Sequence, residues 1–570
     1  MGRIIPAMKT LTLVLLVLAA SPVAARAPAD VSAPSATAYP GESLGAVSFS
    51  VSCSPAVRAS FSRGVALLHD FWYEEARPQF ERIAKQDPTC AMAHWGVAMS
   101  VFHQIWDRPD EHAVALGWKE MQAAQASRAK TAREREYVAA LSGFFRPDKR
   151  DYQSRIDEYA AAMAGLYSHY PRDVDASTFY ALSLLAAVAP DDASLTHERQ
   201  ALAVLNALFA THPDHPGVVH YIIHACDTPS LAPQGLVAAR HYGKIAPSGP
   251  HAVHMPGHIF ARLGLWQEDI DSNAASVAAS GAAEVHHENG AMDQFHSDDF
   301  LLYAYLQRAQ DSHAKQVLAA SGAALSHFES MPEMGEHYMT GMFPYYRAKL
   351  PIFYALEMRD WQSAAALKPV AGGPPETRTL TYWARTIATG HLRQAEESRA
   401  NLTQYDALME QVKNGRHAYF ADSTGSRVER GEMQAWVAFA AGDSADALKH
   451  MREAADLQDK VGQGEVDIPA REMLGDMLLD LKQPATALVE YKQALVLSPN
   501  RFNGLFGAGM AAEAAGDSSQ AGDYYIALLK STDNGSQSVR PEFAHVNQFL
   551  SASAASRPST DGSGQQTGQH

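Results

Sequence analysis

The sequence predicts an all-α protein built as a superhelix of helical hairpins, an α-solenoid. Three observations predict it. Between about residues 51 and 550, apolar residues recur at three and four, Ala is frequent, and Gly or Pro punctuates at short intervals. No run alternates apolar and polar residues like a strand. The chain also repeats itself at a spacing of 34 residues: Gly475, Ala487 and Tyr491 return as Gly509, Ala521 and Tyr525, and His220 and His224 return as His254 and His258. A helical hairpin cannot bury its apolar face alone, so a period of this kind implies stacked neighbours.

Taken in order, the chain begins with a basic stretch (Arg3, Lys9), an apolar run from Leu11 to Ala20 and the small residues Val23-Ala24-Ala25. That layout is a secretory signal over residues 1–25, too short to anchor in a membrane. Residues 26–50, rich in Ala, Pro and Ser, read as a linker. Residues 51–330 read as an N-terminal helical array carrying a histidine cluster, and 331–550 as a C-terminal array. Residues 551–570, with Ser, Gly and Gln and no apolar period, read as a disordered tail. The expected location is therefore periplasmic or secreted. The formal net charge of −16 argues against nucleic acid and anionic membrane as partners, and no later segment is long enough to insert in a membrane. Of three cysteines, Cys53 and Cys90 flank the first hairpin and are a candidate disulfide in an oxidising compartment; Cys226 reads as a small buried hydrophobe.

The repeat signals are explicit at both ends. Gly64, Tyr73-x-x-Ala76-x-x-x-Phe80 and Pro88 mark the first unit; Gly475 to Pro499 and Gly509 to Tyr525 mark the last two. Weaker units lie near Gly257 to Ser280, Tyr345 to Lys368, Tyr382 to Leu402 and Trp436 to Ala454, with long connections expected near 281–294 and 412–430. These residues resemble the tetratricopeptide repeat (TPR) family over most of 51–530. The stretches around His69, His220 and His254 further resemble a subgroup of exported bacterial TPR proteins. The resemblance implies a TPR-type superhelix whose first helices line a concave groove. It thus places His69, His103, His220, His224, His254 and His258 toward that groove.

Residues at i and i+4 project from one face of a helix. His220 and His224 do so, as do His254 and His258, and His251 adds a third imidazole one turn earlier. His296 and Asp299, at i and i+3, open the next helical pattern and are candidates for a further wall. Packed helices lie about 8–10 Å apart, within reach of shared imidazole ligands. Imidazole suits Zn, Cu and Fe, and a carboxylate such as Asp299 would shift the balance toward Zn or Fe. The candidate metal ligands are therefore His220, His224, His251, His254, His258, His296 and Asp299, while His69 and His103 are candidate groove-lining residues. Pro256 must either start the helix carrying His258 or kink it.

Two functions follow. The first is an exported scaffold whose histidine-lined concave groove takes a protein, a peptide or a metal ion. The second is a metalloenzyme, hydrolase or oxidoreductase, with Zn, Cu or Fe in the cluster and Asp227, Glu284 or Glu288 as candidate bases. Gly41-Glu-Ser43-Leu-Gly45 matches a nucleophile-elbow pattern but sits in the expected linker with no strand and helix around it. No Walker loop, His-Glu-x-x-His or Cys-x-x-Cys occurs.

Overall fold

The computed structural model describes residues 41–555 except 106–107, 128, 190–191, 287–290, 332–337, 416, 463, 465 and 537. The expected signal and most of the expected tail lie outside these residues. Among the described residues the regular structure is helical, and the helices pair into successive hairpins. The N-terminal hairpins are α1 (Arg58–His69) with α2 (Tyr73–Gln86), α3 (Ala91–Met99) with α4 (Glu111–Ala126), α5 (Ala132–Phe145) with α6 (Tyr152–His169), and α7 (Val174–Ala186) with α8 (Thr196–Phe209). Next come α9 (Pro216–Cys226) with α10 (Ala232–Ile245), the broken helix α11 (Pro250–His254) and α12 (Pro256–Arg262) with α13 (Trp266–His286), and α14 (Ala291–Gln307) with α15 (Asp311–Phe328). They continue as α16 (Phe343–Glu357) with α17 (Trp361–Ala366), α18 (Pro375–His391) with α19 (Ala395–Lys413), and the short α20 (Ala418–Ala421). The array ends as α21 (Thr424–Ala440) with α22 (Ser444–Val461), α23 (Ala470–Asp480) with α24 (Pro484–Leu497), α25 (Phe502–Ala514) with α26 (Ser518–Ser531), and α27 (Glu542–Ala555). The molecule is an α-solenoid of TPR-like hairpins.

Local chemistry explains the boundaries. Asp110, Asp151 and Asp173 accept from backbone N–H groups at the starts of α4, α6 and α7, and Thr131 with Glu134 forms a capping box on α5. Proline opens α9, α11, α12, α18 and α24, where its missing N–H costs nothing. The repeated glycines sit where hairpin helices cross. A Cβ on Gly475 would lie 2.8 Å from the Tyr491 ring, and one on Gly509 would lie 2.3 Å from Tyr525.

Several boundaries differ from those expected. Residues 41–50 form no helix or strand but are not a free spacer. Leu44 and Phe49 are buried, Ala46 N–H donates to the Asp214 carbonyl, and the Ser43 hydroxyl donates to the Ile245 carbonyl. Two apolar side chains in a polar-looking stretch suffice to pin it to the core. The expected long connection near 281–294 is largely helix, since α13 runs to His286 and α14 starts at Ala291; the one near 412–430 contains α20. Residues 551–555 extend α27 instead of joining a tail. Cys53 and Cys90 form a disulfide with Cα atoms 4.8 Å apart, and Cys226 is buried.

The apolar core falls into two large clusters, one within residues 44–283 and one within 261–546. A simple solenoid touches only its neighbours, but here distant turns also meet. Trp266 Nε1–H donates to the Asn500 carbonyl at 2.8 Å. Gly264, at φ +63°, lies so close to the Pro499 carbonyl that a Cβ would stand 2.2 Å from its oxygen. Among the described residues no helix is long and apolar enough to cross a membrane.

Candidate metal centre

The histidine helices come together in the N-terminal half. The helix carrying His251, His254 and His258 starts at Pro250 and bends at Pro256, so α11 and α12 are two short helices separated by Met255. The break is buttressed from α13, where the Ser276 and Ser272 hydroxyls donate to the carbonyls of Pro250 (2.8 Å) and Val253 (2.6 Å).

The imidazoles do not converge on one point. They form two adjacent sets, His220, His224 and His251, and His254, His258 and His296. Within each set one ring nitrogen per residue can be chosen so that all lie within 4.8 Å of one another. Ring centroids are 4.7, 5.0 and 6.4 Å apart in the first set and 4.9, 4.3 and 5.6 Å in the second. Three imidazoles on one tetrahedral ion would have centroids roughly 5 Å apart. The sets meet on α11, where the His251 and His254 rings are 6.0 Å apart. Each set has one partly exposed member, His224 in the first and His296 in the second.

Hydrogen bonds on the far nitrogens decide what the near nitrogens present. In the second set, His254 Nδ1–H donates to Asn273 Oδ1 at 2.6 Å and His258 Nδ1–H donates to Asp227 Oδ2 at 2.9 Å. The Asn273 amide cannot turn round, because its nitrogen donates to Asp269 Oδ1 (2.6 Å) and the Asp269 carbonyl (3.0 Å). The Nε2 of His254 therefore carries a lone pair, and it faces His258 Nε2 at 2.9 Å. In the first set, His220 Nδ1–H donates to the carbonyl of His69 at 2.6 Å, and its Nε2 lies 3.0 Å from His224 Nε2. Burial and the neighbouring imidazoles hold His220, His251 and His254 well below the ordinary histidine range, so the Nε2 atoms of His220 and His254 keep their lone pairs. A cation beside each pair would take up those lone pairs. Two nitrogens on one tetrahedral ion would be about 3.3 Å apart.

Acids surround the imidazoles. Asp227 also takes Arg262 at 3.0 Å, and Asp293 Oδ1 lies 3.6 Å from His251 Nδ1. Burial pushes Asp293 up to about 7 and Glu74 up to about 8, and raises fully buried Asp269 well above its ordinary value. A nearby dication would offset that cost.

Several expected site residues are placed differently. Asp299 forms an ion pair with Lys349, fifty residues on, and is outside both sets. His69 does not line an open groove but is fully buried at the end of α1. Its Nε2 meets Asp175 Oδ1 at 3.1 Å and its Nδ1 meets the Tyr221 hydroxyl at 3.0 Å. His215 Nε2 reaches the same Asp175 oxygen at 3.3 Å. Asp175 holds both rings as donors through their Nε2 atoms, while the buried His215 Nδ1 has no hydrogen-bond partner. His103 is not on a first helix; it follows α3 at φ +44°, and its ring stacks on Tyr73 at 4.7 Å. Asp227 orients His258 and binds Arg262, a different task from that of a base. The side chains of Glu284 and Glu288 are outside the described residues. Burial pushes the Cys226 thiol up to about 12, leaving it inert. Sequence reasoning missed Asn273, Asp269, Asp293 and the His69 carbonyl. Nothing in the local sequence around Asn273 marks it.

No family model matches the chain, and no curated protein matches it. Solved structures do. The chain is similar to the P58(IPK) TPR domain (12% identity, 87% of this chain and 99% of that one, TM-score 0.21). It is also similar to a chain of the Naa15/Naa10 structure bound to HypK-THB (11% identity, 88% and 92%, TM-score 0.22). Yeast Tom70 gives 10% identity over 88% and 96%, with TM-score 0.32.

Proposed function

We propose that this protein is an exported solenoid scaffold that holds two metal ions in adjacent three-histidine sets, His220–His224–His251 and His254–His258–His296. One observation carries the reading. The Nδ1 atoms of His220 and His254 are committed to oxygen acceptors and both rings are held neutral, so their Nε2 lone pairs face a neighbouring imidazole nitrogen at 2.9–3.0 Å. Such outer acceptors fix tautomer and raise ligand basicity. Both sets are all-nitrogen, and with Asp299 removed the donor chemistry favours Zn or Cu over Fe. The Cys53–Cys90 disulfide fits an oxidising compartment and supports export.

A second reading, a metal-dependent hydrolase or oxidoreductase, is favoured by the ligand number. Three protein ligands leave a position for water or substrate, whereas structural sites are closed by four. A bound ion would supply Lewis acidity or redox chemistry there. The protein's own groups then hold the imidazoles neutral and oriented.

The test is elemental analysis of untagged protein, with His220→Ala, His254→Ala and the double variant alongside. Two ions per chain in the wild type, one in each single variant and none in the folded double variant are expected. No ion retained after reconstitution with Zn, Cu or Fe would sink the proposal.

A further inference from the structure

Each histidine set has the same neighbour, a buried phenylalanine. The Phe71 ring lies 4.4, 5.4 and 5.6 Å from the His220, His224 and His251 rings. With the separations among those imidazoles, this puts the Phe71 centroid about 4 Å above their plane, over the inside of their triangle. Phe300 lies 4.9, 4.8 and 5.4 Å from His254, His258 and His296. It too stands about 4 Å above the inside of its triangle. The two phenyls come from unrelated elements. Phe71 is in the α1–α2 turn and Phe300 is on α14.

The turn that delivers Phe71 is held hard against the first set. The carbonyl of His69 accepts from His220, and Asp70 accepts from the hydroxyl of Tyr242 (2.8 Å), whose ring stacks on His220 at 5.2 Å. Phe71 itself sits at φ +55°, a backbone region that costs a side-chain-bearing residue of order 1 kcal/mol or more. The His69 ring that anchors the turn fits because residue 217 is Gly; a Cβ there would lie 2.3 Å from His69 Nδ1.

We propose that Phe71 and Phe300 are specificity-determining roofs, limiting the free position of each bound ion to a ligand the size of water, hydroxide or a triatomic anion. The proposal rests on the metal reading above. Each phenyl stands over the free position of its set, so a further ligand reaches that position from the side, past the partly exposed His224 or His296, and must fit beneath the ring. Phe71 and Phe300 are 3% and 2% exposed and His220, His251 and His254 are 0–2% exposed, which leaves no surface on which a peptide could lie against the ions.

Co(II) is the probe, because its visible spectrum reports a change of ligand. Wild-type, Phe71→Ala and Phe300→Ala proteins are loaded with Co(II) and titrated with azide and with 4-phenylimidazole. The expected result is a spectral shift with azide in all three, and with 4-phenylimidazole only in the variants, at an affinity roughly tenfold or more above wild type. Phe71→Leu and Phe300→Leu, which keep apolar bulk, cover the case in which an alanine variant fails to fold, and are expected to be intermediate. Wild-type protein that takes 4-phenylimidazole as readily as the variants overturns the roof proposal alone. Wild-type protein that binds no Co(II) overturns the metal reading and this proposal together.

Discussion

Replacing Asn273 by Leu tests the argument about lone pairs at its weakest link. Asn273 Oδ1 is the acceptor that keeps the proton of His254 on Nδ1, and Leu has nearly the same volume but no acceptor. The His254 proton is then free to move to Nε2, the atom that faces His258, and the second set loses a ligand lone pair. Loss of such an outer acceptor costs about 10–100-fold in metal affinity, or roughly 1.4–2.8 kcal/mol. The metal-free fold pays separately. Asp269, fully buried, loses the amide that donates to its Oδ1, while its Oδ2 already has no partner. That adds about 1–3 kcal/mol of destabilisation. The assay is competition with a graded series of chelators, counting ions retained per chain, with the His254 tautomer read by long-range nitrogen NMR in the metal-free protein. The first set is the internal control, since His220 is held by a main-chain carbonyl that the substitution does not touch. Equal weakening of both sets, or an affinity of the second set unchanged within twofold, would refute the reasoning.

Four further outcomes follow from the geometry. Glu432 is 2% exposed, burial raises it well above its ordinary 4.5, and its Oε2 accepts from Trp383 Nε1–H at 2.7 Å. Because the folded state holds this proton after the unfolded chain has released it, stability falls as pH rises above about 4.5. Glu432→Gln keeps the acceptor without the charge and should gain on the order of 1–2 kcal/mol at pH 8 and nothing at pH 4, by urea unfolding at both. The Cys53–Cys90 bridge spans a sequence separation of 37, so Cys53→Ser/Cys90→Ser should lose about 2–4 kcal/mol in chemical denaturation. Arg501, 1% exposed, binds both Glu357 and Glu472 at 2.9 Å, and Arg501→Met should cost about 3–5 kcal/mol. Adding Glu357→Gln and Glu472→Gln should recover most of that loss in the same thermal melts. Gly509→Ala drives a Cβ to 2.3 Å from the buried Tyr525 ring and should cost about 1–3 kcal/mol, read as a lower thermal midpoint.

The repeat was legible because it is written in one dimension. Gly475 and Gly509 leave room for Tyr491 and Tyr525 where two helices cross, and any chain that stacks such hairpins must repeat those residues at the hairpin's length. The histidine pairs were legible for the same reason. A spacing of four puts His220 with His224, and His254 with His258, on one face of a helix whatever lies around it. Linker and tail composition was a poorer guide, since Leu44 and Phe49 were enough to hold residues 41–50 against the core.

Only the tertiary structure decided how the imidazoles divide. The sequence placed six candidate histidines on the right helices, but helical period sets a direction and not a distance between helices. The packing of α9, α11 and α14 assigns His251 to one set and His296 to the other. Tertiary structure also removed Asp299, because Lys349 on another helix offers a buried carboxylate a stronger partner than a neutral imidazole does. And it supplied Asn273, Asp269, the carbonyl of His69 and the two phenyl roofs. Those groups act through donor geometry and shape, which depend on where separate hairpins meet in space and leave no period in the chain.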